Sequence, residues 1–349
     1  MPIPNLSIII PVLDEAGTLP RLFQALASQQ SINLEIIVVD GGSHDNSAEI
    51  AAASGAKLLT SAPGRGQQMN TGAAEASADW LLFLHADTLP QYPAQLSEAL
   101  AHIKACDNPK TAGHFSLLFE RSHDKNKLLY RYMQEKTASH RRYTINGDQG
   151  LLIPRDWFQT LGGFDTRMPF LEDQRIAAKV HEHGSWLLLP GELTTSARRF
   201  EVEGAKTRYI LMAIIMAMYA IDLPQFFDRA PRVYQAQSAT GRLLLTPYFR
   251  CLHGIMRDLG WRKSFASWAK VGHFVVGQSW QLFFILDVAL RPMLGATRYP
   301  ATCFHDCVFA PITHHRVGAW ITGLLVFTYT MGMLAPWYRW RERKLLKSG

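Results

Sequence analysis

Cysteine is scarce in this chain, with four residues among 349. They stand at Cys106, Cys251, Cys303 and Cys307, which is too few and too scattered for a disulfide framework. Cys303 and Cys307 flank His305, but no second pair of ligands accompanies them, so a thiol pair or a plain loop is favoured over a zinc site. No signal peptide precedes the first predicted strand, and we therefore expect the N-terminal domain to be cytosolic.

Two common nucleotide-binding signatures are also missing. Gly64, Arg65 and Gly66 form a flexible loop, but Met69 stands where the third glycine of a dinucleotide fingerprint would be. A glycine-rich loop with a lysine, which a nucleotidyltransferase would carry near its first strand, is absent as well. The loop does contain Arg65, whose guanidinium is suited to bind a phosphate.

Positive charge and apolar residues are plentiful. The net charge is +7, and 48% of the residues are hydrophobic. A basic block near the end is opposed only by Glu342 and consists of Arg339, Arg341, Arg343, Lys344 and Lys347. Because the block follows an apolar stretch, it indicates an anionic membrane surface rather than a nucleic acid. The length exceeds the usual range of one domain, so we expect two units.

The N-terminal part alternates between buried strands and helices. Apolar runs predict strands over residues 6–12, 35–39, 56–59 and 80–84. Capping and periodicity signals predict helices over about 18–29, from Ser43 or Asp45 to about Ser54, and over 67–76. This order is typical of an α/β fold with a doubly wound, mostly parallel sheet.

Loops at the carboxyl ends of these strands carry acids or glycines; they span residues 11–15, 40–45 and 85–88. Since open α/β sheets bind ligands at this edge, Asp40 and Asp87 are candidate binding residues. Gly41 and Gly42 would let the backbone approach a base or a ribose, but a glycine turn that caps a helix explains them equally well. A single Asp87 after a strand is also common as a turn residue or helix cap.

Short motifs follow one another along the chain. They are Ile8 to Glu15 (IIIPVLDE), Val38 to Ser43 (VVDGGS), Arg65 to Gly72 (RGQQMNTG), Phe83 to Thr88 (FLHADT), Gly147 to Gly150 (GDQG), Gly162 to Asp165 (GGFD) and Leu171 to Asp173 (LED). In this order they resemble the family 2 inverting glycosyltransferases of the GT-A fold. More narrowly, they are similar to the bacterial subgroup labelled arsenosugar-biosynthesis-like or radical-SAM-associated. The resemblance covers about residues 4–234 and implies a Rossmann-like GT-A domain that binds a nucleoside-diphosphate sugar.

The resemblance implies a donor site with a metal ion. Asp87 would be the surviving acid of the DxD element and would bind Mg²⁺ or Mn²⁺ between the donor phosphates, whose leaving-group charge the ion neutralises. His85 replaces the first acid, a departure that would weaken metal affinity or selectivity, although one carboxylate plus phosphates and waters can suffice. The donor-binding residues expected on this basis are Pro11, Asp14, Glu15, Asp40, Gly41, Arg65, Asn70, Asp87, Arg198 and Arg199.

The resemblance also implies the catalytic side of the site. Glu172 and Asp173 would be the catalytic pair, with Asp173 the general base that takes the proton of the acceptor hydroxyl. If the acceptor is a phosphate, Asp173 would orient it instead. Adjacent carboxylates at a helix start are also favoured by the helix dipole in any protein. Asp148 and Gln149 resemble an acceptor-side loop.

Two interpretations are open for Arg198 and Arg199. Related enzymes place cations against the diphosphate, and a planar guanidinium suits that contact. Paired arginines are also common on solvated or lipid-facing surfaces. His181 and His183, near a helix end before Gly184, are read as ordinary helix-terminal residues rather than metal ligands.

The C-terminal part suggests a membrane attachment. Val317 to Tyr338 contains 22 residues without a formal charge, and interface aromatics stand at its end, so we expect a transmembrane helix rather than a buried one. Val271 to Leu290 is a possible second crossing, although it carries polar residues such as Asp287. Tyr209 to Ile221 is too short to span and is read as interfacial or buried. The expected domains are 1–204 (catalytic), 205–234 (closing interfacial helix) and 235–349 (helical membrane-associated extension).

The sequence thus favours an inverting glycosyltransferase that moves a hexose from a nucleoside-diphosphate sugar to a lipid-linked or small-molecule acceptor. We expect it at the bacterial inner membrane with a cytosolic catalytic domain and no nucleic-acid partner. The alternative is a non-catalytic membrane protein that binds nucleotide sugars, which His85 makes conceivable. Asp87, Glu172 and Asp173 argue against that alternative.

Overall fold

The computed structural model describes residues 4–167, 170–238, 243–294 and 299–347. The chain divides into two compact units. The first unit comprises residues 1–121 and 133–197, and the second comprises residues 122–132 and 198–349. This division does not test the predicted boundary of the catalytic domain at residue 204, which stays a prediction.

The first unit is an α/β unit whose central element is an eight-stranded sheet. Its strands are β1 (Leu6–Val12), β2 (Leu34–Asp40), β3 (Lys57–Thr60), β4 (Trp80–Phe83), β5 (Thr88–Pro90), β6 (Thr111–Glu120), β7 (Leu151–Pro154) and β8 (Ser185–Ser196). The helices are α1 (Leu19–Ala27), α2 (Ser47–Ala53), α3 (Arg65–Ala74), α4 (Gln95–Lys104), α5 (Lys127–Thr137, shared with the second unit), α6 (Arg155–Thr160) and α7 (Glu172–His183). The predicted first strand has the bounds observed for β1.

The strand order is β3-β2-β1-β4-β7-β6-β8-β5. The neighbours from β3 to β4 are parallel, as are β6 and β8, whereas β7 is antiparallel to both β4 and β6, and β5 is antiparallel to β8. The predicted α/β fold with a mostly parallel sheet is confirmed.

Both faces of the sheet are covered, which explains the continuous apolar strands. Within β1, Ile8 and Ile10 belong to one core cluster, which α1 and α4 complete, and Ile9 belongs to a second, which α3, α6 and α7 complete. Gly72 of α3 lies so close to the sheet that a Cβ there would be 2.5 Å from Cγ2 of Ile9. This close packing fixes the N-terminal end of α3 beside the carboxyl ends of β1 and β2.

The second unit is helical. After α5 its helices are α8 (Arg198–Glu203), α9 (Ala205–Ala220), α10 (Pro224–Ser238), α11 (Thr246–Gly277), α12 (Trp280–Leu294), α13 (Pro300–Phe304), α14 (Ala310–Thr313), α15 (Arg316–Phe327) and α16 (Ala335–Lys347). One π-helical segment, His305–Phe309, joins α13 to α14, and another, Thr328–Leu334, joins α15 to α16. The segment 205–234, predicted to hold one helix, contains two, because Asp222 has a φ of 52° and Pro224 starts a new helix.

Two helical stretches of the described residues are long and apolar enough to cross a membrane, Thr246–Met293 and Arg316–Leu346. The second contains the predicted span 317–338. The first contains the predicted segment 271–290, which is not one helix, because α11 ends at Gly277 and α12 begins at Trp280. The two stretches pack through small residues: a Cβ on Gly272 would be 2.0 Å from the carbonyl oxygen of Ala319.

Candidate active site

The loops after β1 and β2 are tied together by their own carboxylates. Because β1 and β2 are parallel neighbours, Val12 pairs with Asp40 and the two loops leave the sheet at one edge. Asp40 is 6% exposed and accepts hydrogen bonds from the backbone N–H groups of Gly42, at 3.0 Å, and Ser43, at 3.1 Å. Asp14 accepts the backbone N–H of His44 at 2.7 Å. Both carboxylates therefore shape the loops that were predicted to bind the nucleotide.

Other predicted donor residues border the same edge. Pro11 is buried in β1, and the backbone N–H of Gly41 donates to the carbonyl of Val12 at 2.9 Å. Glu15 accepts a hydrogen bond from the Thr18 hydroxyl at 2.8 Å and is partly exposed.

Gln68 joins the two strand ends and was missed by the sequence reasoning. Its side-chain amide donates to the carbonyls of Val12, at 2.7 Å, and Val39, at 2.8 Å, and the residue is 3% exposed. A polar residue on the buried face of α3 was the available signal. The amide satisfies carbonyls that would otherwise be buried without a partner.

The side chain of Asn70 also forms hydrogen bonds with the backbone. Its amide donates to the carbonyl of Phe164 at 2.8 Å and accepts from the N–H of the same residue at 2.9 Å. The two bonds hold the loop at residues 162–165. The structure thus gives Asn70 a positioning contact, whereas the sequence reasoning placed it among the donor-binding residues.

His85, Asp87 and Asp148 form a cluster in which one ligand atom of each lies within 4.8 Å of the others. Nδ1 of His85 is 2.7 Å from Oδ1 of Asp148. The antiparallel pairing of Phe83 with Leu151 explains why His85 and Asp148 come together. It places the segment after β4 beside the 3₁₀ turn Gly147–Gln149, which precedes β7. The sequence reasoning had placed Asp148 on the acceptor side and had not joined it to His85.

Gly147 lies between this cluster and Asp173. Its N–H donates to Oδ2 of Asp173 at 2.9 Å. A Cβ on Gly147 would be 2.7 Å from Cε1 of His85 and 3.7 Å from Cβ of Asp173. Any side chain at position 147 would therefore have to displace the ring of His85. A pocket beside these groups is lined by residues that include Phe83, His85, Gly147, Phe164, Asp173 and Trp186.

Gln149, an expected acceptor-side residue, is fully buried. Its amide donates to the carbonyls of Thr137, at 2.8 Å, and Phe115, at 3.2 Å, and lies 3.0 Å from Nδ1 of His114. The side-chain oxygen accepts the N–H of Asn146 at 2.9 Å. These bonds anchor the 3₁₀ turn, and the predicted acceptor-side role of Gln149 stays a prediction.

Glu172 and Asp173 begin α7 after Leu171, which has a φ of 68°. Glu172 is 5% exposed, and its pKa is raised by burial and by the charge of Asp173. Its carboxylate lies 3.9 Å from Nη1 of Arg65. Asp173 is partly exposed and also accepts the N–H of Gln174 at 2.7 Å.

Arg65 shows how negative this edge is. Burial by itself would lower the pKa of its guanidinium. The carboxylates of Glu172, Asp148, Asp173 and Asp87 have the larger combined effect, so the pKa is raised overall. Four carboxylates thus act on one arginine. Such an excess of negative charge favours a bound cation.

A second ion-pair group was not foreseen. Asp165 pairs with Arg175 of α7 and with Arg167, whose guanidinium lies 2.7 Å away. Hydrogen bonds from Arg167 and then Arg175 hold the pKa of Asp165 well below its usual range. The pairing joins Asp165 to α7, which begins at Glu172.

Arg198 and Arg199 begin α8 and belong to the second unit. Their predicted contact with a diphosphate stays a prediction.

The first unit is thus an α/β unit with a cluster of candidate metal ligands beside β4 and β7. Residues 7–162 match the family model described as Glycosyl transferase family 2. This match covers less than half of the chain and is consistent with the predicted class of enzyme. The narrower subgroup is not confirmed by these matches.

Curated relatives agree with this class. The chain is 27% identical over 237 residues to an undecaprenyl-phosphate 4-deoxy-4-formamido-L-arabinose transferase of Yersinia pestis, covering 62% of this chain and 66% of that protein. It is 28% identical over 180 residues to an uncharacterized glycosyltransferase of Rickettsia prowazekii, covering 49% and 56%. The matched part spans less than two thirds of either relative.

Solved structures show a distant likeness. TarS 1–349 of S. aureus in complex with UDP has a TM-score of 0.47 at 12% identity, covering 94% of this chain and 92% of that one. The mannosyltransferase PcManGT of Pyrobaculum calidifontis, in complex with GDP-Man and Mn²⁺, has a TM-score of 0.45 at 16% identity, covering 94% and 88%. Both TM-scores are below 0.5, so these similarities carry no conclusion about ligands or activity.

Proposed function

We propose that this protein is an inverting glycosyltransferase that transfers a hexose from a nucleoside-diphosphate sugar to a lipid-linked phosphate acceptor. The observation that carries the proposal is the cluster of His85, Asp87 and Asp148, which the N–H of Gly147 links to Asp173. Candidate metal ligands and a carboxylate that could act on the acceptor thus lie beside one another, an arrangement that suits an inverting displacement. A binding protein without activity would not need Asp173 at this position.

The cluster suits Mg²⁺ or Mn²⁺. Two carboxylates and an imidazole nitrogen are ligands that Mn²⁺ accepts, whereas Mg²⁺ prefers oxygen ligands alone. The excess of carboxylates over Arg65 favours a divalent ion at the same place. When bound, the ion would neutralise the charge that develops on the departing diphosphate. We assign Asp87 as a ligand and propose that Asp148 replaces the acid that His85 displaced.

Asp173 is the proposed general base. The N–H groups of Gly147 and Gln174 each donate to one of its oxygens, which fixes the carboxylate while it remains partly exposed. It would accept the proton of an acceptor hydroxyl, or orient an acceptor phosphate that carries no proton to remove. Glu172 is buried beside it and positions Arg65, which we propose contacts the donor phosphates together with Arg198 and Arg199.

The donor nucleotide would lie along the loops shaped by Asp14 and Asp40. Glu15, Pro11 and Gly41 border these loops. Asn70 and Gln149 would act through the backbone they hold and not by touching a substrate.

A lipid acceptor is favoured over a small molecule for two reasons. The Yersinia relative is named for undecaprenyl phosphate. Two helical stretches are also apolar enough to span a bilayer, and only 28% and 11% of their most apolar windows are buried within the protein. With the basic block at the end of the second stretch on the cytosolic side, the catalytic domain would face the cytosol at the bacterial inner membrane.

Mn²⁺-dependent donor binding tests this proposal. The full-length protein in detergent is titrated with nucleoside diphosphates and their sugars, with and without Mn²⁺, and its thermal stability is measured, because a ligand of the native state raises it. We expect Mn²⁺ to strengthen binding of at least one nucleotide, and Asp87→Asn to remove that dependence. The matched control is Asp107→Asn, an exposed aspartate after α4. Metal-dependent binding that survives in Asp87→Asn would remove Asp87 from the site.

A further inference from the structure

A cavity of about 550 Å³ lies within the helical unit. Pockets that hold small ligands typically measure about 300–1,000 Å³. Its walls come from the start of α5, the start of α9 and the middle of α12. Of the described residues that line it, none is acidic and two are lysines, Lys127 and Lys206. We infer that this cavity binds a lipid monophosphate, with the phosphate at the lysines and the hydrocarbon chain against the apolar wall.

The lysines supply the charge for the head group. Lys206 is exposed at the rim, and the described residues give it no ion pair. Lys127 pairs with Asp124 at 2.7 Å, and the two side chains are 67% and 75% exposed. Such an exposed pair contributes only about 0–1 kcal/mol, so a phosphate can compete for Lys127. Two ammonium groups at one rim suit a phosphate dianion.

The apolar part of the wall fits a hydrocarbon chain better than it fits a sugar. Leu128, Ile210 and Ile285 are among the lining residues. Sugar hydroxyls against these side chains would lack hydrogen-bond partners. Ile285 belongs to the candidate span Thr246–Met293, and Leu282, on the same side of α12, is 73% exposed. A chain in the cavity can therefore continue along an apolar helix surface into the bilayer.

A partly buried polar network joins the three walls. Tyr132 of α5 donates to Oε1 of Gln281 in α12 at 2.6 Å, and its hydroxyl lies 3.1 Å from that of Tyr209 in α9. Burial and the neighbouring Tyr209 raise the pKa of Tyr132, so the hydroxyl stays a donor. Walls joined in this way reduce the ordering cost of binding.

The inference that the cavity holds the acceptor rests on the proposed function. The inference that it binds a lipid monophosphate rests only on its lysines and its apolar walls. Farnesyl monophosphate is the probe, added to the full-length protein in a zwitterionic detergent without nucleotide or Mn²⁺. Farnesol, inorganic phosphate and phosphatidylglycerol are the comparison ligands, and native mass spectrometry and thermal shift measure binding.

We expect farnesyl monophosphate to bind, and the comparison ligands to bind at least about tenfold more weakly. Lys206→Glu should weaken binding at least about tenfold, Lys206→Arg should keep it, and Ile285→Asp should weaken it too. Lys125→Glu is the control, because this exposed lysine lies near Lys127 but does not line the cavity. The unliganded melting temperature shows that each variant is folded.

Equal binding of inorganic phosphate would show a plain anion site, and equal binding of phosphatidylglycerol would show a site for bulk membrane lipid; either would overturn the inference. So would full binding by Lys206→Glu, or equal weakening by Lys125→Glu. The same preparation is tested for nucleotide binding with Mn²⁺. Nucleotide binding without farnesyl monophosphate binding refutes the cavity alone, and the reverse refutes the proposed function alone.

Discussion

Gly147→Ala tests the link between the metal cluster and the proposed base. The added Cβ would be 2.7 Å from Cε1 of His85. Carbon atoms in contact are normally about 3.5–4.0 Å apart, so the ring must retreat by about 1 Å. That movement breaks the 2.7 Å contact between His85 and Asp148. A displacement of about 1 Å at reacting groups costs about 10²-fold in rate, or about 2.7 kcal/mol in the activation free energy.

The assay is turnover with the best donor at varied Mn²⁺ concentration. We expect kcat to fall about 10²-fold and the half-saturating Mn²⁺ concentration to rise about tenfold. Gly17→Ala is the control, because a Cβ there meets no atom within 4 Å. The change is then repeated in His85→Ala, which has no ring to displace, with Mn²⁺-dependent donor binding as a second readout. If Gly147→Ala costs as much in that background, the steric reasoning is refuted.

Three further predictions concern the base, a buried histidine and the membrane. Asp173→Asn keeps the shape of the side chain but cannot accept a proton, so turnover on a hydroxyl acceptor should fall about 10² to 10⁴-fold with little change in donor affinity. On the proposed phosphate acceptor, which has no proton to remove, the fall should be smaller. A full rate with a hydroxyl acceptor would exclude a base. His114 is fully buried, and burial, more than the nearby His140 and His181, lowers its pKa from 6.5 to about 4. Because the unfolded chain takes up this proton below pH 6.5 and the native state does not, up to about 3 kcal/mol of stability is lost between pH 6.5 and 4. Thermal unfolding across this range should show a weaker pH dependence in His114→Gln than in the wild type, and identical profiles would contradict the assignment. Finally, the full-length protein should stay with membranes in alkaline carbonate and leave them only in detergent; release by carbonate would show that neither helical stretch spans the bilayer.

Several site residues that were predicted from motifs have contacts the sequence did not reveal. Asp87 was expected after a strand as a metal ligand. It lies after β4 in a cluster with His85 and Asp148, and its role as a ligand stays a prediction. Asn70 and Gln149 belong to motifs but bond backbone groups. A motif records which residues occur together, whereas the direction of each side chain depends on the packing around it.

The local sequence of the first unit determined its alternation of strands and helices from β1 to β4. The strand Leu6–Val12 and the alternation of strands and helices follow from local patterns, since a strand buried on both faces needs a continuous apolar run. The end of each strand and the acids after it could also be read locally.

The tertiary structure alone decided which distant residues meet. Asp148 reaches His85 because β7 lies antiparallel beside β4, and nothing in the local pattern specifies that neighbour. In the second unit, Lys127 and Lys206 line one cavity only because the starts of α5 and α9 lie near each other. Periodicity fixes which face of an element is buried, but the partner of that face depends on long-range packing that a local pattern does not encode.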